Sequence, residues 1–102
     1  RHSFPTRRSS DLKHGGFAPT VEAWSHAVPE RVKFSPMIVA MTSIDGPPRI
    51  THIWAYDGHD ARMKARGDSV AAGCWPPKGA PLWLTGEMRS TIALPMAISP
   101  LK

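Results

Sequence analysis

The stretch Arg49-Ile-Thr-His-Ile-Trp-Ala-Tyr56 decides how this chain folds. β-Branched and aromatic residues favour extended backbone, and Asp57-Gly58 ends the run with turn chemistry. Side chains alternate across a strand. Ile50, His52, Trp54 and Tyr56 therefore share one face, and Thr51, Ile53 and Ala55 the other. Upstream, Met37-Ile-Val-Ala-Met-Thr-Ser43 is a second strand-like run, bounded by Pro36 and by Asp45-Gly46. Asp45-Gly-Pro-Pro48 joins the two as a turn, so the pair reads as an antiparallel hairpin.

Before the hairpin, Lys13-His-Gly-Gly16 is a turn that leads into a helix. Phe17, Val21, Trp24, Val28 and Val32 recur at helical spacing, and Pro19 suits a first turn. Pro29 predicts a kink or a break, with Glu30 to Lys33 as a separate turn. After the hairpin, Asp57 or Asp60 caps a second helix. Its small face is Ala61, Ala65, Ser69 and Ala72, while Arg62, Lys64 and Arg66 point to water. Gly73 stops it. Cys74 to Pro81 is an irregular loop in which Trp75 plugs a gap between elements. Leu82 to Met88 reads as a short helix and Ser90 to Leu94 as the last strand. The order is one strand short of β-α-β-β-α-β, the ferredoxin-like plan.

Composition narrows the function. At 102 residues the chain makes one domain. Its net charge is +5, of which the first twelve residues contribute +2. No basic run persists along one face, which argues against a nucleic-acid partner. No apolar run approaches the roughly 18 residues of a membrane span. Cys74 is the single cysteine, so no internal disulfide forms, and a reducing compartment such as the cytoplasm is slightly favoured. His14, His26, His52 and His59 lack paired ligand spacing, so no metal is expected. His52 or His59 could be an axial haem ligand, but no feature selects haem, and no cofactor is expected. Cys74 has no evident basic or histidine partner to make it a nucleophile.

The first twelve residues look foreign. His2 to Leu12 resembles the translated read-through of a sequencing-library adapter, so residues 1–12 are expected to be non-native, with the domain proper at 13–102. A basic presequence or nucleic-acid arm is the alternative, but Pro5 interrupts any helix and the string has no apolar face.

From Lys13 onward the chain resembles the NIPSNAP family of the dimeric α/β-barrel superfamily. The carriers are Lys13-His-Gly-Gly-Phe17, the hairpin Gly46 to Tyr56 with its His-x-Trp-x-Tyr pattern, Ala61 to Arg66, Trp75-Pro-Pro77 and Ser99 to Lys102. The resemblance implies an α+β, ferredoxin-like domain with an antiparallel sheet, helices on one sheet face and a homodimeric barrel. It also implies an uncharacterised activity and, in a eukaryote, a mitochondrial association. The departure is at the start, where the first strand is expected to be missing. That strand would be central, and proline cannot serve in a central ladder. The chain is therefore expected to be a truncated domain that folds poorly.

Within that frame, small residues suit the helix side of the sheet. Thr51, Ile53 and Ala55 are assigned there, and His52, Trp54 and Tyr56 to the barrel interior. Histidine can act as acid, base or ligand, and the two larger rings can stack on a flat molecule. The same three rings can equally be packing for the core and dimer seam. Two functions follow. One is a homodimeric binding or interaction module for a small apolar ligand. The other is a small cofactor-independent oxygenase or isomerase whose pocket uses His52, Trp54 and Tyr56.

Overall fold

The structure, a computed structural model, describes residues 5–100. The start of the adapter-like string and the last two residues of the family-like ending lie outside the described residues. The elements are strand β1 (Thr6–Leu12), helix α1 (Phe17–Arg31), strands β2 (Met37–Thr42) and β3 (Arg49–Trp54), helix α2 (His59–Ala71), a 3-10 turn (Ala80–Trp83) and strand β4 (Leu84–Ile92). The sheet order is β2-β3-β1-β4, with every neighbouring pair antiparallel. Helix α1 thus connects two strands that point the same way, and α2 does likewise for β3 and β4. This is the ferredoxin-like split β-α-β plan expected from the sequence. No helix among the described residues is long and apolar enough to cross a membrane.

The missing strand is a correction. Thr6–Leu12 itself occupies the centre, paired from Thr6↔Trp54 to Asp11↔Arg49 on one side and with β4 on the other. Pro5 stands just outside the ladder, so its absent N–H costs no sheet bond. Its carbonyl still accepts from the Ala93 N–H at 2.9 Å. The polar residues of the strand find cross-strand partners: the Ser9 and Thr51 hydroxyls meet at 3.2 Å, and Arg49 Nε donates to Asp11 Oδ1 at 2.6 Å. Thr6, Ser9 and Ser10 are small enough to be buried, and Leu12 joins the core. With the centre filled, the physical reason to expect poor folding disappears.

Helix α1 runs unbroken through Pro29. Pro29 and Ser25, the residue one turn back whose carbonyl loses its partner, are both exposed, so water can serve that carbonyl. The buried stripe is also rotated from the expected one. Val21 and Val32 are exposed, while Thr20 and Arg31 are buried. Gly16, just before the helix, is required by a close approach: a Cβ there would lie 2.9 Å from the Lys13 carbonyl oxygen. Helix α2 starts at His59 with no side-chain cap, contrary to the expected aspartate. Ala65 and Ser69 of its small face are buried as expected. Gly73, at φ +78°, follows its end.

The C-terminal region differs most from its reading. The expected helix at Leu82–Met88 is mainly strand, because the second edge of β1 recruits Leu84–Ile92. A bulge between Ser10 and Leu12 interrupts that ladder, and Gly86 opposite it takes φ +97°.

The two sheet faces are also exchanged relative to expectation. His52, Trp54 and Tyr56 face the helices, and Thr51 and Ile53 face away. Trp54 and Tyr56 pack with Ala65 of α2, and Trp24, Phe34, Met37 and Trp75 complete the cluster. The small residues that permit close packing are on the helix, so the bulk comes from the sheet. Small against small would leave a void.

Candidate functional site

Alternation along strand β3 places His52 and Trp54 on one face, Tyr56 follows two residues beyond the strand, and the structure brings all three together under the helices. His52 is 6% exposed, Trp54 3% and Tyr56 5%. Trp54 Nε1 donates to His52 Nδ1 at 2.6 Å. Indole N–H only donates, so His52 Nδ1 holds a lone pair and the ring proton sits on Nε2. Burial, then the nearby Arg8, Arg31 and Arg66 guanidiniums, push the His52 pKa down to about 4. A second proton would also set two N–H groups against each other at Trp54. His52 is therefore a neutral imidazole at physiological pH.

Aromatic rings surround this centre. Trp24 of α1 meets His52 at 4.7 Å between ring centroids, and Trp75 meets Trp24 at 4.9 Å and Trp54 at 5.5 Å. All three contacts are edge-to-face, the arrangement favoured by ring quadrupoles. Trp75 thus fills the gap that its loop position suggested.

Arg31, in the last turn of α1, reaches into the same region. It is 2% exposed. Its terminal nitrogens donate to Ser35 Oγ at 2.6 Å and to the Tyr56 hydroxyl at 3.1 Å, and its guanidinium lies over the Trp54 ring. Arg31 Nε and Thr20 Oγ1 are buried without a hydrogen-bond partner among the described residues.

Beside His52 a cavity of about 330 Å³ opens between sheet and helix layer, walled mainly by Trp24, Ile50, Val70, Trp75, Leu84 and Met88. A hollow of about 60 Å³ adjoins it. His52, Arg8 and Arg66 line both spaces, and Arg31, Trp54 and Tyr56 line the smaller one. The arrangement offers apolar walls with hydrogen-bond donors gathered at one end.

Sequence reasoning missed Arg31 and sent Arg66 to solvent. Arg31 sits seven residues after Trp24, so an unbroken helix puts both on one side. Arg66 is half-buried and follows the buried Ala65. Cys74 is half-buried and its thiol lies 3.4 Å from the Ser69 carbonyl oxygen, outside this cluster.

No curated protein matches the chain. Among solved structures, a NIPSNAP family protein from Agrobacterium tumefaciens superposes with a TM-score of 0.87 at 19% identity, covering 99% of this chain and 100% of that one. A candidate antibiotic biosynthesis monooxygenase from Nitrosomonas europaea gives 0.75 at 13% identity, over 96% and 94% of the two chains. A dimeric ferredoxin-like protein from an uncultured marine organism gives 0.70 at 8% identity, over 95% and 90%. These identities speak for the fold alone. The family model described as NIPSNAP matches residues 7–100, and on that match this chain belongs to the NIPSNAP family.

Proposed function

We propose that this domain is a homodimeric binding module that holds a small, mainly apolar ligand between its sheet and its helices. The observation that carries the reading is the cavity beside His52, whose size falls within the range of small-molecule sites. His52, Trp54 and Tyr56 supply one wall of the combined space. The dimer is built through the sheet face that no helix covers, where Ile53, Val39 and Met41 give apolar surface around the Ser9–Thr51 and Asp11–Arg49 pairs. A cytoplasmic location belongs to the same proposal, and the unpaired Cys74 is compatible with it.

The test is a titration of the purified chain with small aromatic compounds, read by tryptophan fluorescence, since Trp24 and Trp75 line the cavity. Saturable quenching that disappears in a cavity-filling Val70→Trp variant supports the reading. Absence of saturable binding across flat apolar compounds of cavity size sinks it.

A cofactor-independent oxygenase or isomerase is the second reading, favoured by His52 Nε2–H and the Tyr56 hydroxyl beside one hollow. Such chemistry needs a base to create a carbanion. His52 is a weak base here, because burial and three arginines oppose its protonation and Trp54 occupies its free nitrogen. Binding is therefore the better-supported reading. Dioxygen consumption with a quinol-type substrate, lost in Tyr56→Phe, would reverse that order.

A further inference from the structure

We propose that the ligand of this cavity is an organic monocarboxylate: its carboxylate seats in the small hollow against Arg31 and Arg66, and its flat apolar body lies in the larger cavity. This rests on the binding reading above and names the chemistry of the ligand.

The first ground is an uncompensated buried charge. Arg31 is 2% exposed, and among the described residues no carboxylate pairs with it, with Arg66 or with Arg8. Stacking on Trp54 and bonds to two neutral hydroxyls offset part of the desolvation cost and leave the net charge in place. Its Nε–H is buried and has no partner among the described residues, so the donors of this cation are not all satisfied within the chain.

The second ground is the composition of the walls. No aspartate or glutamate lines either space. The charged groups there are guanidiniums, and His52 Nε2–H and the Tyr56 hydroxyl, whose oxygen already accepts from Arg31, add donors; the hydroxyls of Thr6, Ser10 and Thr20 can donate or accept. A cationic ligand would be repelled by the guanidiniums and find no carboxylate to offset them. Arg31 and Arg66 suffice for the site without Arg8, which lies in the string that resembles an adapter.

The third ground is size. The hollow of about 60 Å³ admits one small head group, and it opens beside the about 330 Å³ cavity, which shares His52, Arg66, Val70 and Trp75 with it. Anionic head and apolar body are thus accommodated side by side, Arg31 and Tyr56 bordering the hollow alone and Trp24, Ile50, Leu84 and Met88 the cavity alone.

The experiment compares naphthoate with its uncharged amide on the full chain, by tryptophan fluorescence and calorimetry. Naphthoate is expected to bind at least tenfold more tightly than naphthamide. In Arg66→Met, and in Arg31→Met, that preference is expected to fall towards one. Arg66 is half-buried and its side chain has no hydrogen bond, so its variant keeps the fold if Arg31→Met does not. Equal binding of acid and amide by the unaltered chain overturns the carboxylate assignment and leaves the binding reading standing. So does an undiminished preference in folded Arg66→Met. Binding of neither compound overturns both.

Discussion

The guanidinium of Arg31 lies 4.4 Å from the centre of the Trp54 ring, with both residues nearly excluded from solvent. A helix residue and a strand residue thereby form the joint between the two layers. Ring and hydroxyls hold the cation, and no carboxylate among the described residues shares it.

Replacing this charge by an apolar side chain of similar length should not weaken the fold. Arg31→Met removes a desolvated cation and leaves the Tyr56 hydroxyl with one bond fewer, two effects of opposite sign. The expected result in urea denaturation is stability within about 1 kcal/mol of the original, or above it. Arg31→Ala, which also empties the space, should cost about 2 kcal/mol or more.

His52 makes stability fall in mild acid. Its folded pKa of about 4 lies below the ordinary 6.5, so between those values the unfolded chain takes up the proton and the folded chain does not. The stabilisation is complete above about pH 6.5 and is lost as pH falls towards 4, with an upper limit of ~3 kcal/mol. Asp11 is held below the usual carboxylate range by its hydrogen bond from Arg49, so its stabilisation is lost at lower pH still. Urea midpoints at pH 7 and 4.5 should differ more for the original chain than for His52→Gln. Equal differences would remove His52 as the cause.

Trp75 is a loop residue with the energetics of a core residue. It touches Trp24 and Trp54 and walls both spaces. It is only half-buried, so Trp75→Ala should cost about 2 kcal/mol, below the range for fully buried tryptophan. Thermal unfolding measures this, and a change under 0.5 kcal/mol would mean that the loop closes without its ring.

The uncovered sheet face gives the proposed dimer its test. Ile53 is half-buried in the single chain and lies opposite Arg7 and Val39 in the neighbouring strands. Ile53→Asp should convert a dimer to a folded monomer by sedimentation, with circular dichroism unchanged. A dimer that survives the substitution uses another surface.

Much of this was legible in the sequence. The hairpin, the second helix with its buried Ala65 and Ser69, the stop at Gly73 and the common face of His52, Trp54 and Tyr56 follow from local periodicity and turn chemistry. What escaped is decided by distant partners. Thr6–Leu12 is polar and proline-led, and is a strand because β3 and β4 both pair with it. The orientation of β3 depends on which layer carries the bulky residues, a property of two elements together. Arg31 escaped because a polar residue on an apolar stripe reads as surface until the helix is known to pass Pro29 unbroken.

The position of β1 also governs how the molecule is made. Thr6 pairs with Ile92, so the first of the four strands to be made is completed by the last of them. Until then its second edge stays open, and an open edge invites other chains. Sheets that join distant parts of a chain fold slowly, since the intervening loop must close before any pairing rewards it. The hairpin and both helices can form locally. The step that commits the fold waits until β4 has been made, and a chaperone that shields β1 during that interval would have its largest effect there.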